Sequence, residues 1–192
     1  LSLGPSYSRN LSEAQWVTSY ADPTASATFG NRYIFANMDQ TTVSANIRLN
    51  WTFTPQLSLQ VFMQPLMSSG KYANIKEFTR PGSFEFRNFG LNGSTINTNT
   101  DSEGNITSYD IDPDGAGSSP TMNVGNPDFN FTSLRGNAVL RWEYRPGSTV
   151  YLVWTQNRSD YLNDGQFQFK RSFNRLVSAK ADNIFMLKVT YW

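Results

Sequence analysis

The sequence predicts an all-β, antiparallel fold, and three observations carry that expectation. The first is strict period-two alternation from Thr41 to Pro65. Thr41, Val43, Ala45, Ile47, Leu49, Trp51 and Phe53 share one face, and Thr42, Ser44, Asn46, Arg48, Asn50 and Thr52 the other. Successive strand side chains point to opposite faces, so such a strand has one apolar and one polar side. The second is length: the Thr41–Phe53 run spans roughly 43 Å at about 3.3 Å per residue, well beyond the usual strand of about five or six residues. The third is composition, with 15% aromatic and 16% charged residues, against about 25% charged in ordinary soluble domains. Long, regular, charge-poor strands predict an up-and-down outer-membrane-type β-barrel of about eight to ten strands, or the C-terminal part of a larger one.

The elements follow in order. Leu1–Ser8 and Ala14–Tyr20 read as strands of weaker alternation. Thr28–Ala36 and Thr41–Phe53 flank a turn at Asn37-Met38-Asp39-Gln40, and Leu57–Leu66 returns after the tight turn Thr54-Pro55-Gln56. Ser68–Gly82 is rich in Ser, Gly and Lys and reads as a loop. Residues 87–130 are the least structured stretch, a long polar loop region, with Phe84–Phe89 and Asn105–Ile111 as short strands. A second strong hairpin follows, where Leu134, Ala138, Leu140, Trp142 and Tyr144 alternate with Arg135, Asn137, Arg141 and Glu143. Its turn is Arg145-Pro146-Gly147-Ser148, and Pro-Gly suits a type II turn. Val150, Leu152 and Trp154 continue the apolar phase, Ser159–Ala181 reads as a polar loop, and Asp182–Trp192 is the last strand. The whole chain, 1–192, is taken as one barrel domain or barrel fragment.

Three regularities favour a membrane barrel over a soluble sandwich. Tight turns at 54–56 and 145–148 alternate with long polar stretches, as short periplasmic turns alternate with outer loops. The apolar phase carries no charge, whereas Arg48, Arg135, Arg141, Glu143 and Lys188 take the other phase. Facing lipid near the midplane, an Arg or Lys costs about 2–4 kcal/mol; facing a wet lumen it costs little. Large aromatics (Trp51, Phe53, Trp142 and Tyr144) crowd the turn-proximal ends, where an interfacial girdle belongs. With both tight turns periplasmic, the C-terminus is periplasmic too. Arg48, Arg135, Arg141 and Glu143 are then expected as a lumen charge cluster. The competing reading is a soluble antiparallel sandwich that buries the same faces and serves as a binding or structural subunit, for carbohydrate for example.

Absences narrow the chemistry. The chain has no Cys, hence no disulfide or thiolate metal site, and no His, hence no Ser-His or Cys-His nucleophile scheme. A net charge of +1 argues against nucleic acid as a partner. No apolar run reaches the roughly 18 residues of a membrane helix. A mean hydropathy of −0.47 is compatible with a barrel, whose strands average a lipid face with a wet one. The sequence begins at Leu1 without Met or signal peptide and reads as a processed protein or a piece of a longer one. One metal signal exists: Asp110, Asp112 and Asp114 before Gly115 reproduce the D-x-D-x-D-G opening of a calcium loop. Position twelve of that loop is Thr121 instead of Glu, and Asp-Pro-Asp-Gly is also ordinary turn chemistry. No carboxylate pair has a spacing that argues for acid–base work, and no catalytic residue is assigned.

The run Leu140-Arg141-Trp142-Glu143-Tyr144-Arg145-Pro146-Gly147-Ser148-Thr149-Val150-Tyr151-Leu152-Val153-Trp154-Thr155-Gln156 resembles a motif of a large uncharacterised bacterial family. In that family a family-9-like carbohydrate-binding module precedes a C-terminal outer-membrane β-barrel of unknown function. Gly30-Asn31-Arg32-Tyr33-Ile34-Phe35-Ala36, Phe53-Thr54-Pro55, Leu57-Ser58-Leu59-Gln60, Gln64-Pro65 and Asp182-Asn183-Ile184-Phe185 extend the resemblance over nearly the whole chain. It implies an envelope location and a barrel, and it supplies no activity. The module has no counterpart in this sequence, so no sugar binding is carried over. The expected function is a non-enzymatic barrel of the bacterial outer membrane, acting as passive pore or membrane anchor and scaffold. Its expected partners are outer-membrane lipid, with a carbohydrate-binding-like module or other envelope proteins as candidates.

Overall fold

Ladder pairing in chain order organises the molecule, and the computed structural model describes residues 1–192. The elements are β1 (Ser2–Ala21), β2 (Asn31–Thr54), β3 (Leu57–Phe78), β4 (Phe86–Asn88), β5 (Thr95–Thr100), β6 (Ile106–Asp112), β7 (Met122–Gly125), β8 (Phe129–Arg145), β9 (Ser148–Leu162), α1 (Phe169–Ser178) and β10 (Ala181–Thr190). Six long strands form one antiparallel meander in the order β1-β2-β3-β8-β9-β10, with short β4 added against the end of β3. The fold is all-β and antiparallel. The sheet is open: β1 and β10 each pair on one side only.

Several strands outrun their sequence-predicted limits. β1 is continuous, because register shifts between Ser12 and Gln15 and between Trp16 and Thr18 break the alternation without ending the ladder. β2 runs straight through Asn37–Gln40, where a turn is expected, since Met38, Asp39 and Gln40 pair with Tyr72, Lys71 and Gly70. β3 likewise continues through most of the expected loop at Ser68–Gly82. Its extra residue lies between Ala73 and Lys76, where Asn74 adopts a positive φ of 54°. That bulge shifts the face on which the following side chains emerge. The expected loop at Ser159–Ala181 contains the end of β9 and all of α1.

The register assigns faces without ambiguity. Leu49, Val61, Ala138, Trp154 and Phe185 form one cross-strand row, and Trp51, Leu59, Leu140, Leu152 and Leu187 the next. Between them on the opposite face runs Asn50, Gln60, Val139, Val153 and Met186. The polar phase is therefore hydrophilic on β2, carries Phe62 and Leu66 among Ser58, Gln60 and Gln64 on β3, and becomes partly apolar toward β10.

Residues 87–130 are not a structureless loop. β5, β6 and β7 make a three-stranded antiparallel sheet whose Ile111, Met122 and Val124 are buried with Phe89 against Ile34, Ala36 and Ile75 of the main sheet. This small core lies on the polar-phase face of β2, at the end remote from the tight turns. α1 packs on the other face, over β8, β9 and β3.

Candidate functional site: an apolar belt and a polar wall

The apolar rows form a belt that nothing in the chain covers. Trp51 is 55% exposed, Leu152 45% and Leu187 66%. At the tight-turn end Trp51 stacks on Phe53 with ring centroids 5.4 Å apart, and Trp142 lies 6.0 Å from Tyr144. The four girdle candidates thus sit at one level, because Leu57 pairs with Trp142 and Leu59 with Trp51. The two turns are tied together where the Glu143 amide donates to the Gln56 carbonyl over 2.8 Å. The Trp192 amide donates to Ser148 Oγ at 3.1 Å, and its side chain packs on Gly147, whose φ is +79°. Charges on the belt's phase appear only at the far end: Arg9 pairs with Asp39, and Arg175 of α1 donates to Asp160 at 2.7 Å.

Arg48, Arg135, Arg141 and Glu143 share the opposite face, and the structure separates them along it. Arg48 lies over the Phe62 ring, 4.9 Å from its centroid, in the row Arg48–Phe62–Asn137–Thr155. Arg135 occupies the neighbouring row, opposite Gln64, with β3 between it and β2. Arg141 donates to Glu143 Oε2 at 3.1 Å beside the tight turn, and the Gly147 amide donates to Glu143 Oε1 at 3.3 Å. The expected single cluster is therefore one ion pair and two dispersed arginines. Side-chain amides share the arginines' own rows: Gln64 donates to Asn46 at 2.9 Å and Asn137 to Thr155 Oγ1 at 3.0 Å. Two shallow grooves of about 350 and 340 Å³ run along this wall, one past Asn46, Gln64 and Arg135 and one past Arg48, Gln60 and Asn137. The arrangement offers donors, acceptors and two free guanidinium heads, and no nucleophile beside a base.

Beyond the wall, at the covered end, lies a network that sequence reasoning missed. Arg32 donates through Nη1 to both Glu77 oxygens at 2.9 and 2.8 Å, through Nε to Asp22, and through Nη2 to Ser119 Oγ at 2.9 Å. Asp22 also accepts from the Thr24 amide at 2.9 Å and the Thr24 hydroxyl at 2.7 Å. Arg87, brought opposite Glu77 by β4, completes the set with a second ion pair. Asp22, Arg32 and Glu77 are all buried. Burial pushes the Asp22 carboxyl up, but the bonds from Thr24 and Arg32 outweigh it and hold the group below its ordinary value. Two carboxylates face two guanidinium groups, so the buried charge balances. Spacing could not reveal partners as far apart as Asp22, Arg32 and Glu77. The one local signal was Arg32 in phase with Ile34 and Ala36, a charge on a face about to be buried.

The calcium-like aspartates are not gathered. Asp110 accepts from Asn123 at 2.7 Å and Asn99 at 2.9 Å. Asp112 Oδ1 accepts from the amides of Asp114 at 3.2 Å and Gly115 at 2.8 Å, and Asp114 Oδ2 from the Ser119 amide at 3.0 Å. No three carboxylates approach closely enough to hold a metal ion. The Asp-Pro-Asp-Gly segment works as an Asx-type turn after β6, with the Asp114 and Gly115 amides on Asp112 Oδ1 and the Ser119 amide on Asp114 Oδ2, while Asp114 Oδ1 is buried without a partner.

Comparison with curated proteins and with solved structures returns no match. One protein family matches the chain over residues 1–192, and the chain belongs to that family, a domain of unknown function (DUF5916).

Proposed function

We propose that this chain forms part of the wall of an outer-membrane β-barrel and acts without catalysis as a passive pore or membrane anchor. The observation that carries the reading is the uncovered belt. Rows of five apolar side chains cross five strands, and the folded insertion packs on the opposite face. A water-soluble sandwich places a second layer over its apolar face, whereas an exposed patch of this extent is rare on soluble monomers. Tilted about 45°, the Thr41–Phe53 run rises about 30 Å, close to the apolar band of such barrels, about 25 Å tall. Unpaired strand edges are not tolerated in hydrocarbon, so further strands stand against β1 and β10 in the closed wall. Bacterial barrels take eight or more strands. Arg48, Arg135 and the amide rows then face water.

Period-two labelling tests this. The chain lacks cysteine, so single cysteines at Leu59, Gln60, Leu140 and Arg141 report cleanly. In liposomes, nitroxides at 59 and 140 are expected to collide with lipid-soluble oxygen, and those at 60 and 141 with a water-soluble nickel chelate. Protein that stays monodisperse in buffer without detergent overturns the reading.

A further inference from the structure

α1 is built inside out for a helix that packs on a sheet. Its sheet-facing side carries Ser172 and Leu176, both buried, with Arg175 reaching Asp160 at 2.7 Å and Asn130 at 3.1 Å. Its large apolar residues point elsewhere: Phe169 is 56% exposed, Phe173 48% and Val177 52%. Spaced at i, i+4 and i+8, the three form one stripe, and the two Phe rings stack at 6.1 Å. In a helix serving the core, these positions would be turned inward.

The direction of that stripe can be read from the anchors. Arg175 bonds Asp160 and Asn130, which lie at the strand ends remote from the tight turns. On the other flank, Arg158, nearer the tight turns on β9, donates to the Val177 carbonyl at 2.5 Å. At 3.6 residues per turn the Phe169–Phe173–Val177 stripe lies roughly 160° round the helix from Arg175, so with Arg175 turned to the remote strand ends the stripe faces down the sheet toward the belt. The axis crosses the strands. At its start Gly165 lies flat on β3, where an added Cβ would come within 2.6 Å of Lys71 Cα, and Asn130 holds the Gln166 carbonyl at 3.1 Å. At its end the chain enters β10, where Ala181 pairs with Arg158. Lys170 and Lys180 stand exposed at the two ends.

We propose that α1 is an in-plane interfacial helix of the barrel rim, which lowers Phe169, Phe173 and Val177 into a lipid leaflet and sets Lys170 and Lys180 against anionic headgroup phosphates. The occupant is lipid for two reasons. The stripe continues the belt on the same face of the sheet, and cationic ends beside an apolar stripe are the composition of helices that bind anionic membrane surfaces. The inference rests on the barrel reading, and one experiment separates their failures. Single-cysteine variants Phe173→Cys, Ser178→Cys and Leu140→Cys of the full chain, each carrying an environment-sensitive fluorophore, are reconstituted in vesicles of phosphatidylcholine with or without phosphatidylglycerol. Lipid-borne bromine is expected to quench positions 140 and 173 several-fold more than 178. Phosphatidylglycerol is expected to increase quenching at 173, and Lys170→Glu with Lys180→Glu to abolish that increase. Lipid quenching at 140 but aqueous iodide quenching at 173 equal to that at 178 overturns the helix proposal alone. So does lipid quenching at 173 that ignores both phosphatidylglycerol and the lysine changes. Absence of lipid quenching at 140 overturns the barrel reading beneath it.

Discussion

The tight-turn half of the sheet and its far half use the same strands under opposite rules. Near the turns the apolar phase holds Trp51, Leu59, Leu140 and Leu187, and the polar phase holds Thr52, Ser58, Arg141 and Lys188. In the far half the code inverts on both faces. The polar phase of β2 becomes Ile34, Ala36 and Met38, buried on that face, with the insertion packed over Ile34 and Ala36. The apolar phase becomes Asn130 and Thr132 on β8 and Arg158 and Asp160 on β9, where α1 packs. What sets each side chain's polarity is its covering layer, solvent in one half and the protein's own chain in the other.

The sharpest way to break this contrast is to strike the far half alone. Arg32→Met removes the cation that joins Asp22 and Glu77 and leaves buried carboxylates without it, at a cost of about 3–5 kcal/mol. Arg87 still donates to Glu77 through both Nε and Nη2, so Asp22 bears most of the loss. Proteolysis inside residues 79–128 is expected at much lower denaturant, while tryptophan emission from the belt stays unchanged. Simultaneous loss of both signals would show that the two halves fold as one cooperative unit.

The reciprocal attack falls on the belt. Val61→Arg places a guanidinium in the row Leu49–Val61–Ala138–Trp154–Phe185, inward of the aromatic girdle, at a cost that rises toward about 2–4 kcal/mol as that row nears the bilayer midplane. Gln60→Arg, one residue before it and on the other face, is expected to cost little. Urea titration of the protein in liposomes measures both. Equal effects would mean that the two faces meet the same medium.

The same contrast explains which features were legible in the sequence. Thr41–Pro65 and Leu134–Trp154 show their alternation openly because nothing in the chain covers the belt face there. Residues 31–40 and 67–78 look like strand, turn and loop because Ile34, Ser69 and Glu77 answer to covering chain, for which water–lipid patterning has no meaning. The Asn74 bulge hides Glu77 further by moving it to the face that Arg32 occupies. α1 reads as a polar loop because Ser172, Asn174 and Arg175 mask an i, i+4, i+8 stripe that was present all along. The buried network lay beyond reach, since its members meet only through the pairings of β1 with β2, β2 with β3 and β3 with β4.

Acid gives the smallest and most selective probe of the difference, because the belt rows from Leu49 to Val189 contain no titratable side chain, whereas the far half contains several. Asp22 in the folded protein titrates below its ordinary value of 3.8, and Asp110 and Asp114, under bonds from Asn123 and from Ser119 respectively, do the same. Between folded and unfolded pKa values the unfolded chain binds more protons, so stability rises with pH across that window. The contribution is complete above the unfolded carboxylate range and is lost as pH falls through the lowered folded values. Asp128 acts with the opposite sign: burial raises its carboxyl, with the Tyr72 amide bond opposing, so its effect lessens stability as pH climbs from the ordinary range through the raised folded value. Acidification from neutrality is therefore expected to leave protease protection of the insertion unchanged or slightly improved until about pH 4, and to weaken it below. Asp22→Asn should weaken the insertion at neutral pH and flatten the acid limb, while Trp51 and Trp142 emission stays constant throughout. An acid transition that appears first in the belt tryptophans would assign the titrating groups to the wrong half of the sheet.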